Sequence, residues 1–210
     1  MTNEFAPSSA ARAPPSDSSS VEQGRAGTSL YGASIEYGLH CILWLVGEGV
    51  ERASSRNLAE LQGVPMATMA KIMPRLEKAG IVSSMDGIMG GYALARSPDE
   101  ISVLDVVDAI EGGRRLFDCK EIRRGCVLFG GTPPDWSSAG LCGIHSLMLR
   151  AENRMRAELA RTSLAKLARG VARPPEFDPL AASWIEDRSN SRRAARVAAV
   201  KQARQKSRQE

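Results

Sequence analysis

Three consecutive segments carry apolar residues at helical spacing, and a glycine-rich hairpin and a further helix follow them. This order predicts a mainly α fold with a small β wing, a winged helix-turn-helix domain extended by one long dimerisation helix. In the first segment, from about Ser34 to Glu48, Ile35, Leu39, Ile42, Leu43 and Val46 form one stripe. A polar turn leads to a short helix through Leu58 and Leu61, with Asn57 or Ser55 as the candidate cap. Gly63-Val64-Pro65 makes the turn, and Met69, Ile72, Met73 and Leu76 recur at i, i+3, i+4 and i+7 in the third helix. That helix stops at Ala79-Gly80, where glycine is a natural end. Pro74 inside it removes a backbone donor and predicts a kink or an early end.

Ile81–Met85 and Tyr92–Arg96 read as a hairpin around Asp86–Gly91. Ser102 can cap the next helix with Asp105, and Val103, Val106, Val107 and Ile110 face its core side. Gly130-Gly131, Pro133-Pro134 and Ser137-Ser138 make the stretch from Cys119 to Gly143 a loop. A long helix then starts near Gly143, with Ile144, Leu147, Met148, Ala151, Met155 and Leu159 on one face. So narrow a stripe, placed after the domain has closed, suits a second copy of the chain, though folding back on the winged helix is the alternative.

The expected organisation is therefore a disordered N-terminal extension (1–29), a winged helix-turn-helix domain (30–112), a cysteine-containing loop (113–143), a dimerisation helix region (144–170) and a basic C-terminal tail (171–210). A hydrophobic content of 43% in 210 residues suffices for one core, and 5% aromatic content makes that core chiefly aliphatic. No apolar run approaches the roughly 20 residues of a membrane span, and no secretory leader is visible. Four cysteines without a leader point to a reducing compartment, hence the cytoplasm. Residues 188–210 hold eight Arg or Lys against one Glu, so a chain of net charge +4 is acidic, at −3, before its tail. The basic pI belongs to the tail, either a non-specific phosphate holder or a solubilising end.

In a helix-turn-helix the second helix enters the major groove of double-stranded DNA, and its N-terminal side chains meet base edges. Those positions are Met66, Ala67, Thr68 and Lys71. Thr68 can bond a base or phosphate, Lys71 a guanine edge or phosphate, and Ala67 can touch a thymine methyl. Arg56, Arg75, Lys78 and Arg96 are phosphate candidates, and the wing adds Gly90, Gly91 and Tyr92. The wing tip, Asp86-Gly87-Ile88-Met89, has no basic residue. A protein-interaction module is the competing use of such a domain. No phosphate loop, strand-linked nucleophile or paired carboxylate suggests an enzyme.

The remaining pattern is Cys119-x6-Cys126-x15-Cys142-x2-His145. It lacks the paired spacing of structural zinc sites, but three thiolates and an imidazole in a loop suit an iron–sulfur cluster. Glu36 and His40, four apart, project from one face of the first helix off its buried stripe, although they can also form a simple i, i+4 pair. Cys41 reads as a small buried hydrophobe, and Cys126 can be a bystander beside Val127, Leu128 and Phe129.

Several strings resemble the winged-helix iron–sulfur regulators that include IscR, NsrR and RsrR. They are Tyr37-Gly-Leu, Lys78-Ala-Gly-Ile-Val, Gly90-Gly-Tyr-Ala-Leu-Ala-Arg96 and Leu104-Asp-Val-Val-Asp-Ala-Ile-Glu-Gly112, within about residues 34–170. The resemblance implies a homodimeric transcriptional regulator, a repressor in kind, with a 2Fe–2S cluster per protomer near the partner's first helix. IscR-like ligation corresponds to Cys119, Cys126, Cys142 and His145, and NsrR-like ligation to the three cysteines with Glu36. RsrR-like ligation corresponds to Glu36 and His40 with two cysteines, and Glu36-Tyr-Gly-Leu-His40-Cys41 looks most like that branch. The wide gap between Cys126 and Cys142 departs from the closer spacing common in the family, so the choice between Cys119 and Cys126 stays open. A metal-free thiol switch on the same three cysteines is the rival mechanism.

Overall fold

Ile35, Gly38, Cys41 and Ile42 recur three and four residues apart, which turns one face of helix α1 (Ala33–Ile42) into the interior. The computed structural model describes residues 29–47, 49–85 and 90–206. The expected disordered extension, apart from its last residue, and the wing tip 86–89 lie outside them. The α-helix ends at Ile42 instead of running to Glu48, and a 3₁₀ turn, Leu43–Leu45, continues it. Ile42, Leu43, Trp44 and Leu45 are all buried, and four successive buried residues do not fit a helix with one apolar face.

Helix α2 (Ser55–Gln62) is capped by Ser54, whose Oγ accepts from the Asn57 amide at 3.1 Å. This corrects both sequence candidates: Ser55 is already helical, and Asn57 is fully buried. Gly63 takes the left-handed conformation (φ 71°) that closes α2 and lets the chain turn into α3 (Met66–Lys78). Met69, Ile72, Met73 and Leu76 are buried as their spacing predicts. Pro74 does not end α3, which runs on to Lys78 with the proline on its exposed face.

The hairpin pairs β1 (Val82–Met85) with β2 (Gly91–Leu94) in the register Val82↔Leu94 and Met85↔Gly91. Ala53 adds a bridge by exchanging two backbone bonds with Tyr92, at 2.8 and 3.0 Å. A Cβ on Gly91 would lie 2.9 Å from the Ala53 carbonyl carbon, so the close approach requires glycine. The predicted capping box is present at the start of α4 (Val103–Glu111), with Ser102 and Asp105 each accepting from the other's backbone amide. Gly38 lets α1 and α4 meet: a Cβ there would stand 2.5 Å from the tip of Ile110.

The chain beyond residue 112 adds three helices. Helix α5 (Gly143–Ala160) lies along α4 through a two-pronged Arg156–Asp108 pair, at 2.9 and 2.7 Å, and buries no residue fully. Helix α6 (Leu164–Arg169) returns to the core: Leu164 is fully buried, and its amide bonds Ile101 at 2.8 Å. Helix α7 (Phe177–Lys206) occupies most of the basic tail and buries Ala181 and Ile185 against α2. Among the described residues no helix is long and apolar enough to cross a membrane.

Candidate functional site

The outward face of α3 carries the residues expected to read DNA. Met66, Ala67 and Lys71 are exposed and Thr68 is half-buried, while the opposite face is held rigidly in the core. Arg56, the second residue of α2, reaches the start of α3, with its Nε 3.2 Å from the Met66 sulfur. Two other basic candidates are committed to the fold. Arg75 donates to the Ile110 carbonyl at 2.6 Å, closing the end of α4, and Arg96 bonds the Glu100 carbonyl and pairs with Asp105 at 3.5 Å. Gly91 and Tyr92 hold the wing to Ala53, and Gly90 borders a groove beside it. Lys78 stands exposed at the end of α3.

The cysteine loop is built from three short 3₁₀ turns, Ile122–Gly125, Val127–Phe129 and Asp135–Ser137. Glu121, the residue before the first of them, has φ 51°, a left-handed backbone unusual for a residue with a Cβ. Arg123 steadies it by pairing with the Glu121 carboxylate, and also donates to the Gly140 carbonyl at 3.1 Å. That second bond draws the region around Cys119 to the segment entering Cys142. The Arg123 charge accordingly feels both Cys142 and Cys119. Cys126 is exposed, whereas Cys142 is nearly covered.

Cys142 occupies the N-cap position of α5 without a side-chain capping bond, and the nearby backbone amides of His145 and Ile144 hold its thiol below the ordinary range. Burial acts against that shift and Arg123 adds to it. Cys41 shows the opposite case, with burial pushing its thiol up to about 12, as expected of a core cysteine. We therefore expect iodoacetamide at neutral pH to alkylate Cys142 of the metal-free chain and spare Cys41 until unfolding. Peptide mass mapping checks this, and early labelling of Cys41 would contradict it.

His145 stacks obliquely on Phe117, with ring centroids 6.1 Å apart, and lies close enough to Asp118 and Glu121 to lower both carboxyls slightly. The main causes of those two shifts are the pairs Asp118 forms with Lys120 and Glu121 with Arg123. Glu36 and His40 are exposed on α1, with no hydrogen bond or ion pair among the described residues. Within one chain, no three described His, Cys, Asp or Glu side chains stand close enough to hold a metal ion. The expected ligands are thus distributed between α1 and the loop and are not gathered by a single protomer.

Three features went unread in the sequence. Arg123 draws the loop together, a role no spacing rule signals. Large apolar side chains in the loop stand open, among them Ile122 (83% exposed), Val127 (88%) and Leu128 (89%), beside the α5 stripe at Ile144 (64%) and Leu147 (57%) that the sequence had marked. The basic tail is a helix, a state its i, i+3 and i+4 placement of Arg192, Arg196, Val197 and Val200 would have suggested had more than net charge been weighed.

Fold and site define a winged helix-turn-helix protein with a cysteine-bearing loop ahead of a long helix. The chain belongs to the Rrf2 family, described as iron-dependent transcriptional regulator, and matches its model over residues 31–170. It is 32% identical over 111 residues to the HTH-type transcriptional regulator IscR of Aliivibrio salmonicida, a match covering 53% of this chain and 60% of that one. It is 35% identical over 78 residues to the HTH-type transcriptional repressor NsrR of Streptomyces coelicolor, covering 37% and 53%. The chain thus spans little more than half the length of these two relatives. CymR, the global cysteine regulator of B. subtilis, superposes with a TM-score of 0.53 at 20% identity, over 69% of this chain and all of that one, a likeness of fold.

Proposed function

We propose that the chain is a cytoplasmic, homodimeric transcriptional regulator that binds operator DNA through α3 and senses redox, nitric oxide or iron–sulfur status at its cysteine loop. The observation that carries the DNA half is the two-sidedness of α3: Met69, Ile72, Met73 and Leu76 are locked in the core while Met66, Ala67 and Lys71 stand exposed. Such a helix can enter a groove without distorting the domain behind it.

The donor set fits a 2Fe–2S cluster. Cys142 is a thiol biased toward thiolate, Cys119 shares its Arg123 neighbour, and Glu36 and His40 are unengaged polar groups on α1. Cys142 and Cys119 would hold the group from one protomer, with Glu36 and His40 from the other. This is the ligand set of the RsrR-like branch, and Cys126 and His145 are the remaining candidates. When bound, the cluster supplies one-electron chemistry and lability toward oxidants. The open apolar side chains of the loop and α5 support a second copy as their cover, which would bring one protomer's loop to the other's α1. His40 must be neutral to ligate, and Arg123 adds to the backbone amides that hold the Cys142 thiol down. A change in the charge held there would alter the packing of loop, α1 and α5 and hence the spacing of the two α3 helices.

An absorption spectrum with iron and sulfide assays, on protein purified without oxygen, tests this reading. We expect visible bands and about two irons and two sulfides per chain. A colourless chain that fails to take up iron and sulfide would overturn the cluster. It would favour a metal-free thiol switch at Cys119, Cys126 and Cys142, which the lowered thiol of Cys142 equally suits.

A further inference from the structure

We infer that α7 is a second DNA-contacting element, which grips the phosphate backbone of the duplex beside the wing. This rests on the DNA-binding reading of α3 and extends it to a surface outside the winged helix.

The helix is fixed in direction by its first half. Ala181 and Ile185 are buried against α2, and the Asn57 side-chain amide donates to Ser189 Oγ at 2.8 Å and to the Ile185 carbonyl at 3.4 Å. Arg192 and Arg188 reach Glu60 at 3.3 and 3.7 Å, exposed pairs that orient more than they stabilise. Beyond Ser189 the helix leaves the core and forms one wall of a groove of roughly 1650 Å³. Its other wall is the segment Gly49–Ser54, Arg56 and the base of the wing at Met85 and Gly90. That volume exceeds the several hundred cubic ångströms usual for a small-molecule site and suits a polymer.

Charge decides which polymer. Arg193, Arg196, Lys201 and Arg204 line the groove from α7, and Arg52 and Arg56 face them, against the carboxylates of Glu51 and Glu186. Residues 193, 196, 197, 200, 201 and 204 fall within one sector of a helix, so the cations form a single stripe flanking Val197 and Val200. Among the described residues Arg52, Arg196 and Lys201 have no carboxylate partner. From 193 to 204 the stripe runs about 17 Å, or about five base pairs along a duplex. Arg56 joins the groove to the start of α3 through its contact with Met66, so the two surfaces are continuous. The wing tip Asp86-Gly87-Ile88-Met89 carries no cation of its own, and α7 supplies the basic charge beside its base.

The test is a salt titration of the full chain with a mixed-sequence DNA duplex of about 40 base pairs, comparing wild type with the double variant Arg196→Gln, Lys201→Gln. Glutamine keeps helix propensity, and circular dichroism checks that the helix content is unchanged. The expected result is a slope of log affinity against log salt that is shallower by about 2, with at least about tenfold weaker binding at low salt. Wild-type binding with unchanged slope and affinity in the double variant overturns the role of α7 and leaves the α3 reading intact. No duplex binding by the wild type at low salt overturns both. Equal weakening by a Glu186→Gln variant, which removes an anion from the same groove, would also overturn the proposal, because a phosphate grip predicts tighter binding there.

Discussion

Cys142→Ala is expected to abolish visible absorbance and bound iron in protein purified without oxygen, while Cys126→Ala leaves both near wild-type levels. The two cysteines differ in placement more than in sequence context. Cys142 is set at the first turn of α5, where two backbone amides and Arg123 favour the thiolate a metal ligand must present. Cys126 lies on the far side of the Arg123 turn, exposed. Cys119 shares the Arg123 charge with Cys142, so Cys119→Ala should resemble Cys142→Ala. Iron content and absorbance, measured on freshly purified variants and again after reconstitution, check the ranking. Full retention of colour in Cys142→Ala, or its loss in Cys126→Ala alone, would reverse the assignment of ligands. Arg123→Ala gives an independent reading of the same geometry. It should lower cluster occupancy without removing any candidate ligand, because the loop loses its bond to Gly140 and Glu121 loses the partner of its left-handed backbone.

What could be read from the chain alone was local. The stripe of α3, the Ser102–Asp105 box and the hairpin each depend on residues within a few positions of one another, and periodicity or capping chemistry exposes them. The cap of α2 was misplaced, by one residue at Ser55 and by three at Asn57. Ser54 and Ser55 are chemically identical there, and only the direction of the chain entering the helix separates them. Trp44 was passed over, although its indole donates to Gln62 at 2.8 Å and its ring meets Phe177 and the Arg173 guanidinium, because both ring partners lie more than 120 residues away. Ala181 and Ile185 are an i, i+4 pair too short to stand out beside the charges that follow. At the candidate site, sequence supplied the candidate ligand types but could not rank Cys119 against Cys126. The ranking proposed above rests on where Arg123 bonds, and spacing carries no such information.

Leu164→Ala is expected to destabilise the chain by about 2–5 kcal/mol, the range for removing a buried leucine that its neighbours cannot replace. A domain that closed at residue 112 would not notice this change. Leu164 is instead fully buried, in the same core as Ile101 and Val106. The backbone around it is stitched to the entry of α4, with the Leu164 amide on the Ile101 carbonyl and the Val103 amide on the Thr162 carbonyl, both at 2.8 Å. Ser102, which caps α4, also bridges Ser163, which caps α6. A void beneath that seam should therefore loosen the start of α4 and the end of α5 together, and with them the platform on which the cysteine loop is mounted. Chemical denaturation followed by circular dichroism measures the loss. Leu141→Ala, at a side chain 59% exposed in the loop, serves as the comparison and should change the stability of the monomer little. Equal small effects for both leucines would mean that the helices after residue 112 dock without sharing the core. A large loss at Leu164 alone means that the loop and the helix-turn-helix rise and fall with one hydrophobic interior, the mechanical condition for a change at the cysteines to be felt at α3.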